Sequence, residues 1–427
     1  MRIRKHGVAF PGTTATIRTC PLPLRKEPGH KLKRRTKGRP AALPGVGPRP
    51  EEQGRRSHPA AVAPTKKGLQ GAVTEQELEP YLQLDAWPCA CSGPVIKVGS
   101  DCSGLESVVA ALCQMGLGKR VRVEFVCDKD PLCRDFLKSV HKPTRVYEDI
   151  MDRDVGSMPE VDLYSAGFPC QPWSLEGRGQ GRRDSQGRGK LFDFVAEYIN
   201  NKLPKCFLLE NVAALTFQHH KAAFERMLET LRCSKKYFIT WRVKNAMDFG
   251  IPQNRARVFI VGLLRSAMRS PGFPWPKPLR REPLPLTRFL CGGAGIVRGP
   301  PLVGTVGHAK LKIGIKAVRE EQGDPRTMDI SLDIWSGREH SHRMTNKVPC
   351  LTRSRCGNGG FFITSVHRLL TVEEMLNLQG LPISYRAKAR RVGISDRQIG
   401  LMVGNAIATN AIKPILGRML TAIGKHQ

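Results

Sequence analysis

A chain of 427 residues has room for two or three domains of about 150 residues each, and its 40% hydrophobic content supplies a packed core, which excludes wholesale disorder. Its 69 Lys+Arg against 37 Asp+Glu leave a net charge of +32, which suits a polyanionic partner, nucleic acid first. The 13 cysteines are odd in number and form no CxxC pair, so they read as free thiols in a reducing compartment with no structural zinc or other metal, and no run of about 18 apolar residues argues for a membrane span.

Residues 1–70 carry 17 Lys+Arg, three acids and ten prolines, a composition that cannot bury much apolar surface. A basic, Pro-rich, disordered tail is therefore expected over 1–93. Its most basic run, Lys31-Leu32-Lys33-Arg34-Arg35-Thr36-Lys37, fits nuclear import, a phosphate contact or a plain solvated charge run. The Arg-rich, acid-poor first 26 residues also fit an organelle transit peptide.

From residue 94 short apolar runs alternate with amphipathic stretches. The pattern predicts strands over 94–98, 121–127, 146–150, 161–165, 206–209 and 257–264. Helices are predicted over 105–115, 131–140, 192–200 and 221–231. This βαβα rhythm implies a Rossmann-like α/β core over 94–264 with a mostly parallel sheet, which binds ligands beyond the carboxyl ends of its strands. Residues 265–345, with Pro271, Pro274, Pro276, Pro278, Pro283 and Pro285 closely spaced, read as a small loop-rich insertion. Helical periodicity returns at 371–378 and 396–419, so 346–427 is expected to rejoin the core.

Three strand ends carry reactive groups. Ser165-Ala166-Gly167-Phe168-Pro169-Cys170-Gln171-Pro172-Trp173-Ser174 follows one strand, and Pro169 and Pro172 restrict the backbone around the Cys170 thiol. A thiolate is a strong nucleophile when positive charge lies near it. Residues 177–190, with Arg178, Arg182, Arg183, Arg188, Lys190 and five glycines, can bring such charge and read as a loop closing over a phosphate backbone. Glu210 ends the apolar run Phe207-Leu208-Leu209 and is placed to act as a general acid. In Gly250-Ile251-Pro252-Gln253-Asn254-Arg255-Ala256-Arg257, alternation puts Gln253, Arg255 and Arg257 on one face, where arginines orient a carboxylate, a carbonyl or a phosphate. Cysteine, acid and guanidinium suit nucleophilic addition to an electron-poor ring with protonation of a ring nitrogen.

In this order the motifs resemble the DNA (cytosine-5) methyltransferase family over about residues 95–420. Gly-Phe-Pro-Cys-Gln-Pro-Trp-Ser carries most of the match, joined by Glu-Asn-Val, Gln-x-Arg-x-Arg, Arg368-Leu369-Leu370-Thr371-Val372-Glu373-Glu374 with Leu378-Gln379-Gly380-Leu381-Pro382, and Val403-Gly404-Asn405-Ala406. The resemblance implies that Cys170 attacks cytosine C6, Glu210 serves N3 and the amine, and Arg257 holds Glu210 and the base carbonyl with Arg255 beside it. It also implies S-adenosyl-L-methionine as methyl donor, with Ser103, Gly104, Leu105, Asp128, Asp149, Ile150, Pro169, Asn405 and Ala406 around it. Double-stranded DNA with a flipped base is the implied substrate, touched by Gln171, Ser174, Gln253, Arg178, Arg182 and Arg183. Residues 265–345 would read the target, and the tail tilts the expected location to the nucleus, with an organelle or the bacterial cytoplasm as alternatives. A tRNA methyltransferase of the same family and a catalytically silent DNA-binding homologue are the competing functions.

The first motif departs from the family. Cys102 stands for an aromatic and Glu106 and Ser107 for glycines, so side-chain bulk is expected to crowd the cofactor, or Glu106 to bond its amino group. The stretch Gly404-Asn405-Ala406-Ile407-Ala408-Thr409 also lacks the usual prolines.

Overall fold

The computed structural model describes residues 93–169, 190–279, 282–290, 298–335 and 342–425, so the basic tail lies outside the described residues. The first strands are β1 (Ile96–Asp101), β2 (Val121–Cys127), β3 (Arg145–Tyr147), β4 (Leu163–Ala166) and β5 (Cys206–Val212). They alternate with helices α1 (Ser107–Gln114), α2 (Pro131–His141) and α3 (Leu191–Lys202), and α4 (Lys221–Arg232) follows β5. These elements form where β-branched and aromatic runs meet helix start signals. Asp130, for example, caps α2 by accepting the Leu132 N–H at 3.0 Å, with Pro131 in the first turn.

Two further strands, β6 (Tyr237–Asn245) and β7 (Ala256–Leu264), complete a seven-stranded sheet of order β3-β2-β1-β4-β5-β7-β6. The five strands β3 to β5 pair in parallel, while β7 runs antiparallel to both β5 and β6. The sheet is thus parallel only through β5. Strand order reverses between β1 and β4, the place where such sheets open a ligand crevice. Val98, Leu208 and Val261 pack on one face with α1, and Phe125, Tyr164 and Leu209 on the other with α3 and α4, giving a layered α/β/α core.

The segment after β7 is richer in structure than its prolines imply. A 17-residue helix, α5 (Val306–Gln322), is followed by β8 (Ile330–Asp333) and β9 (His342–Thr345). The prolines cluster ahead of α5, and only a thin stripe of it is buried: Gly307, Leu311, Gly314 and Val318. That stripe carries too few large apolar residues to announce a helix. After α6 (Arg353–Gly357), the short strands β10 (Phe362–Ile363) and β11 (Arg368–Leu369) join a second antiparallel sheet of order β11-β10-β8-β9. This sheet takes strands from both sides of residue 345.

The C-terminal helices are α7 (Val372–Asn377), α8 (Ser384–Arg391), α9 (Asp396–Asn405) and α10 (Thr409–Ala422). Arg368 donates to both oxygens of Glu374, at 2.8 and 2.6 Å, and Glu374 closes a capping box with Thr371. The continuous periodicity over 396–419 is in fact two helices, broken where Ala406 takes an extended backbone, ψ 154°. Buried residues of α10, among them Ile412, Ile415, Leu416 and Met419, pack on the β1–β4 side of the sheet. Among the described residues no single helix is long and apolar enough to cross a membrane, and no cluster of three His, Cys, Asp or Glu is arranged to hold a metal.

Candidate active site

A cavity of about 560 Å³ opens at the carboxyl ends of β1, β2, β4 and β5, with the α9–α10 break forming its other wall. Of the cofactor residues expected from sequence, Ser103, Gly104, Leu105, Asp128, Asp149, Ile150, Pro169, Asn405 and Ala406 all line it. So do Glu210, Arg255 and Arg257. Cys170, Gln171, Ser174, Arg178, Arg182 and Arg183 lie outside the described residues. Pro169, covalently next to Cys170, is on the cavity wall.

The β1–α1 turn is built by its own polar groups. Ser103 Oγ meets Ser100 Oγ at 2.7 Å, and the Gly104 N–H donates to Asp128 Oδ2 at 2.8 Å. Asp128 also accepts the Asp130 N–H at 3.0 Å, so one carboxylate ties two strand-end turns together. Burial pushes the Asp128 carboxyl above its usual range despite these donors. Beneath the turn, Asp101 at the end of β1 is paired with the buried Arg153 guanidinium and accepts from the Tyr164 hydroxyl. The sequence gives no periodic or motif signal for that pair, because Arg153 lies in an irregular segment.

Cys102 and Glu106 both sit at positive φ, 51° and 55°. A residue with a side chain is strained there, which accounts for glycine being the expected type at Glu106. The Glu106 side chain is 2% exposed and accepts the Ser100 hydroxyl, so it is held at the cavity wall. Burial raises its pKa to about 7, outweighing that hydroxyl. Asp149 differs. Burial raises it, but Lys129 Nζ at 2.8 Å and the Met151 N–H outweigh burial and hold it below the usual carboxylate range.

Glu210 is 8% exposed and pairs with Arg257, Nε to Oε1 at 3.0 Å. Register explains the contact. Val212 faces Arg257 and Glu210 faces Phe259 across β5 and β7, so acid and guanidinium are diagonal neighbours on one face. Gln253 departs from the expected shared face, because the strand begins only at Ala256 and alternation does not reach back to it, whereas Arg255 stays beside Arg257 on the cavity wall. Arg255 turns to the C-terminal segment, donating to the carbonyls of Leu351 and Ala406, each at 2.7 Å. Gln253 is fully buried off the cavity wall. It donates to Leu378 O at 2.6 Å and accepts the Leu351 N–H at 3.1 Å, so the expected substrate contact is a structural tie instead.

Comparison with known proteins places these features in context. The family model described as C-5 cytosine-specific DNA methylase matches residues 96–294. The type II methyltransferase M.NgoBI of Neisseria gonorrhoeae is 31% identical over 267 residues, 62% of this chain and 76% of that protein. M.HaeII of Haemophilus aegyptius, also a type II methyltransferase, is 29% identical over 282 residues, 65% and 79% of the two chains. In fold, the Entamoeba histolytica methyltransferase EhMeth superposes with a TM-score of 0.55 at 15% identity, covering 77% of this chain and 98% of that one.

Proposed function

Because the chain belongs to the C-5 cytosine-specific DNA methylase family, we propose that it methylates C5 of a flipped cytosine in double-stranded DNA through a transient bond to Cys170. The observation that carries this reading is the Glu210–Arg257 pair, held on the wall of the same cavity as the acidic strand-end turns and Pro169.

The Cys170 thiolate adds to C6 while Glu210 delivers a proton to N3, and C5 gains carbanion character. Arg257 orients Glu210 and faces the base carbonyl. Once C5 is methylated, a base removes the C5 proton, the 5,6 double bond re-forms as the C6–S bond breaks with return of its electrons to sulfur, and N3 gives its proton back to Glu210. S-adenosylmethionine, when bound, supplies the methyl group. The wall fits that cationic donor: Glu106, Asp128 and Asp149 all border the cavity, and a carboxylate retains acceptor capacity beyond the bonds each makes here. Asp128 and Asp149 would hold the ribose and adenine, the 103–105 turn would lie beside the methionine end, and Ile150, Asn405 and Ala406 would complete the pocket.

DNA is favoured over tRNA because both sequence relatives named above are type II methyltransferases. Residues 265–345 read the target sequence, with Lys312, Lys316 and Arg319 exposed on α5 for phosphate contact, and Arg178, Arg182 and Arg183, outside the described residues, are assigned to the DNA backbone by their charge alone. Those two relatives are bacterial and lend no support to a nuclear location, whereas bacterial cytoplasm agrees with them. Incubation with methyl-labelled S-adenosylmethionine and duplex DNA or tRNA tests the proposal. Label in 5-methylcytosine of DNA, lost in Cys170→Ser, is the expected result. Label in tRNA alone, or in neither, overturns it.

A further inference from the structure

Cys350, just ahead of α6, was marked by no motif, yet its sulfur accepts Arg255 Nη1 at 3.3 Å and Arg257 Nη2 at 3.4 Å. We propose that Cys350 is a positioning residue of the catalytic acid, its sulfur acting as an anionic wedge between the two guanidiniums that fixes Arg257 against Glu210. The inference rests on the functional reading above.

Several contacts hold Arg257, three of them as follows. Nε goes to Glu210 at 3.0 Å, Nη1 to the carbonyl of Ala256 at 2.8 Å, and Nη2 to Cys350. The sulfur is the acceptor that Arg257 shares with Arg255, so its loss removes a restraint that ties the two guanidiniums together. Arg255 is anchored on the far side by Leu351 O and Ala406 O, so Cys350 also links the acid pair to the α9–α10 break that walls the cavity.

Electrostatics point the same way. Two cations lie side by side, and Arg255 is pushed down, first by burial and then by Arg257. Once ionised, the sulfur between them offsets both. Burial alone would raise the Cys350 pKa, yet Arg257 and then Arg255 outweigh it and bring the thiol below 9.0. The titratable and charged groups facing this sulfur among the described residues are Arg255 just before β7, Arg257 within it, and Cys356 of α6. Buried Cys356 has its own pKa pushed far up, so it stays neutral beside Cys350.

The test uses the full chain with Cys350→Ser and Cys350→Asp. The neutral serine variant should lose kcat roughly tenfold with an unchanged KM for DNA, and the aspartate variant, which restores a negative charge, should recover most of it. In the parent, kcat should gain a component that rises as the thiol ionises and is absent from both variants. Independently of turnover, the pH dependence of Cys350 alkylation, followed by peptide mass spectrometry, should give a pKa below 9.0 that rises in Arg257→Gln. Parent-like kcat in the serine variant, or a thiol titrating at 9.0 in both backgrounds, overturns the proposal. Failure of the underlying reading is separate: transfer would then survive Glu210→Gln, whatever the thiol does.

Discussion

Replacing Glu106 by Gln should make the protein's stability less sensitive to pH. The carboxyl is 2% exposed and its pKa is raised from 4.5 to about 7 in the folded state. A group that binds its proton more tightly when folded contributes stability that is complete below the unfolded value and disappears as pH climbs through the folded value. The window is therefore about pH 4.5 to 7. At 1.36 kcal/mol per unit, the shift is worth about 3 kcal/mol at most. Glutamine keeps an acceptor for the Ser100 hydroxyl but never ionises. Denaturant melts of both proteins from pH 4 to pH 8 isolate the term, because every other titrating group is common to the two. The variant should gain about 3 kcal/mol relative to the parent across the window. A difference that stays constant with pH would refute the reasoning.

The same carboxyl should discriminate between ligands. Above pH 7 the parent should favour S-adenosylmethionine over S-adenosylhomocysteine, which lacks the sulfonium charge, more strongly than at pH 5.5, and calorimetric titration of Glu106→Gln should show no such pH effect. Arg257→Gln removes the partner of a mostly buried carboxylate and should cost about 2 kcal/mol of stability as well as most turnover, measured by melts and methyl transfer. Gln253→Ala should lower stability by about 2 kcal/mol through its lost internal bonds while KM for DNA per folded molecule stays near the parent value. A large rise in KM at full stability would restore Gln253 to the substrate surface.

The parallel half of the sheet was legible because most of its strands are short buried apolar runs, and α2 adds its own start signal in Asp130 and Pro131. β6 was not read, although Tyr237–Trp241 is a run of strand-forming residues; it is only partly buried along most of its length and takes its place at the sheet edge by pairing with β7. Register, which the sequence does not state, decided which polar residue at the start of β7 reaches the acid. Arg257 lies inside the ladder opposite Val212, whereas Gln253 and Arg255 precede the strand and bond to the C-terminal segment. The residues that line the cavity were legible because strand ends in such a sheet converge on one crevice. Cys350 was not, for its role depends on chain returning from about 95 residues downstream of Arg255. Nor were the Asp101–Arg153 pair and the α9–α10 break, which arise from packing rather than local pattern.

The most direct measurement concerns the bond to Cys170. Duplex DNA carrying 5-fluorocytosine lacks the C5 proton that must leave, so the intermediate should be trapped when S-adenosylmethionine is present. Mass spectrometry of the digested complex should place the nucleotide on the peptide containing Cys170, with none formed by Cys170→Ser. Full methyl transfer to ordinary DNA without any trapped adduct, or an adduct on a different cysteine, would contradict the account.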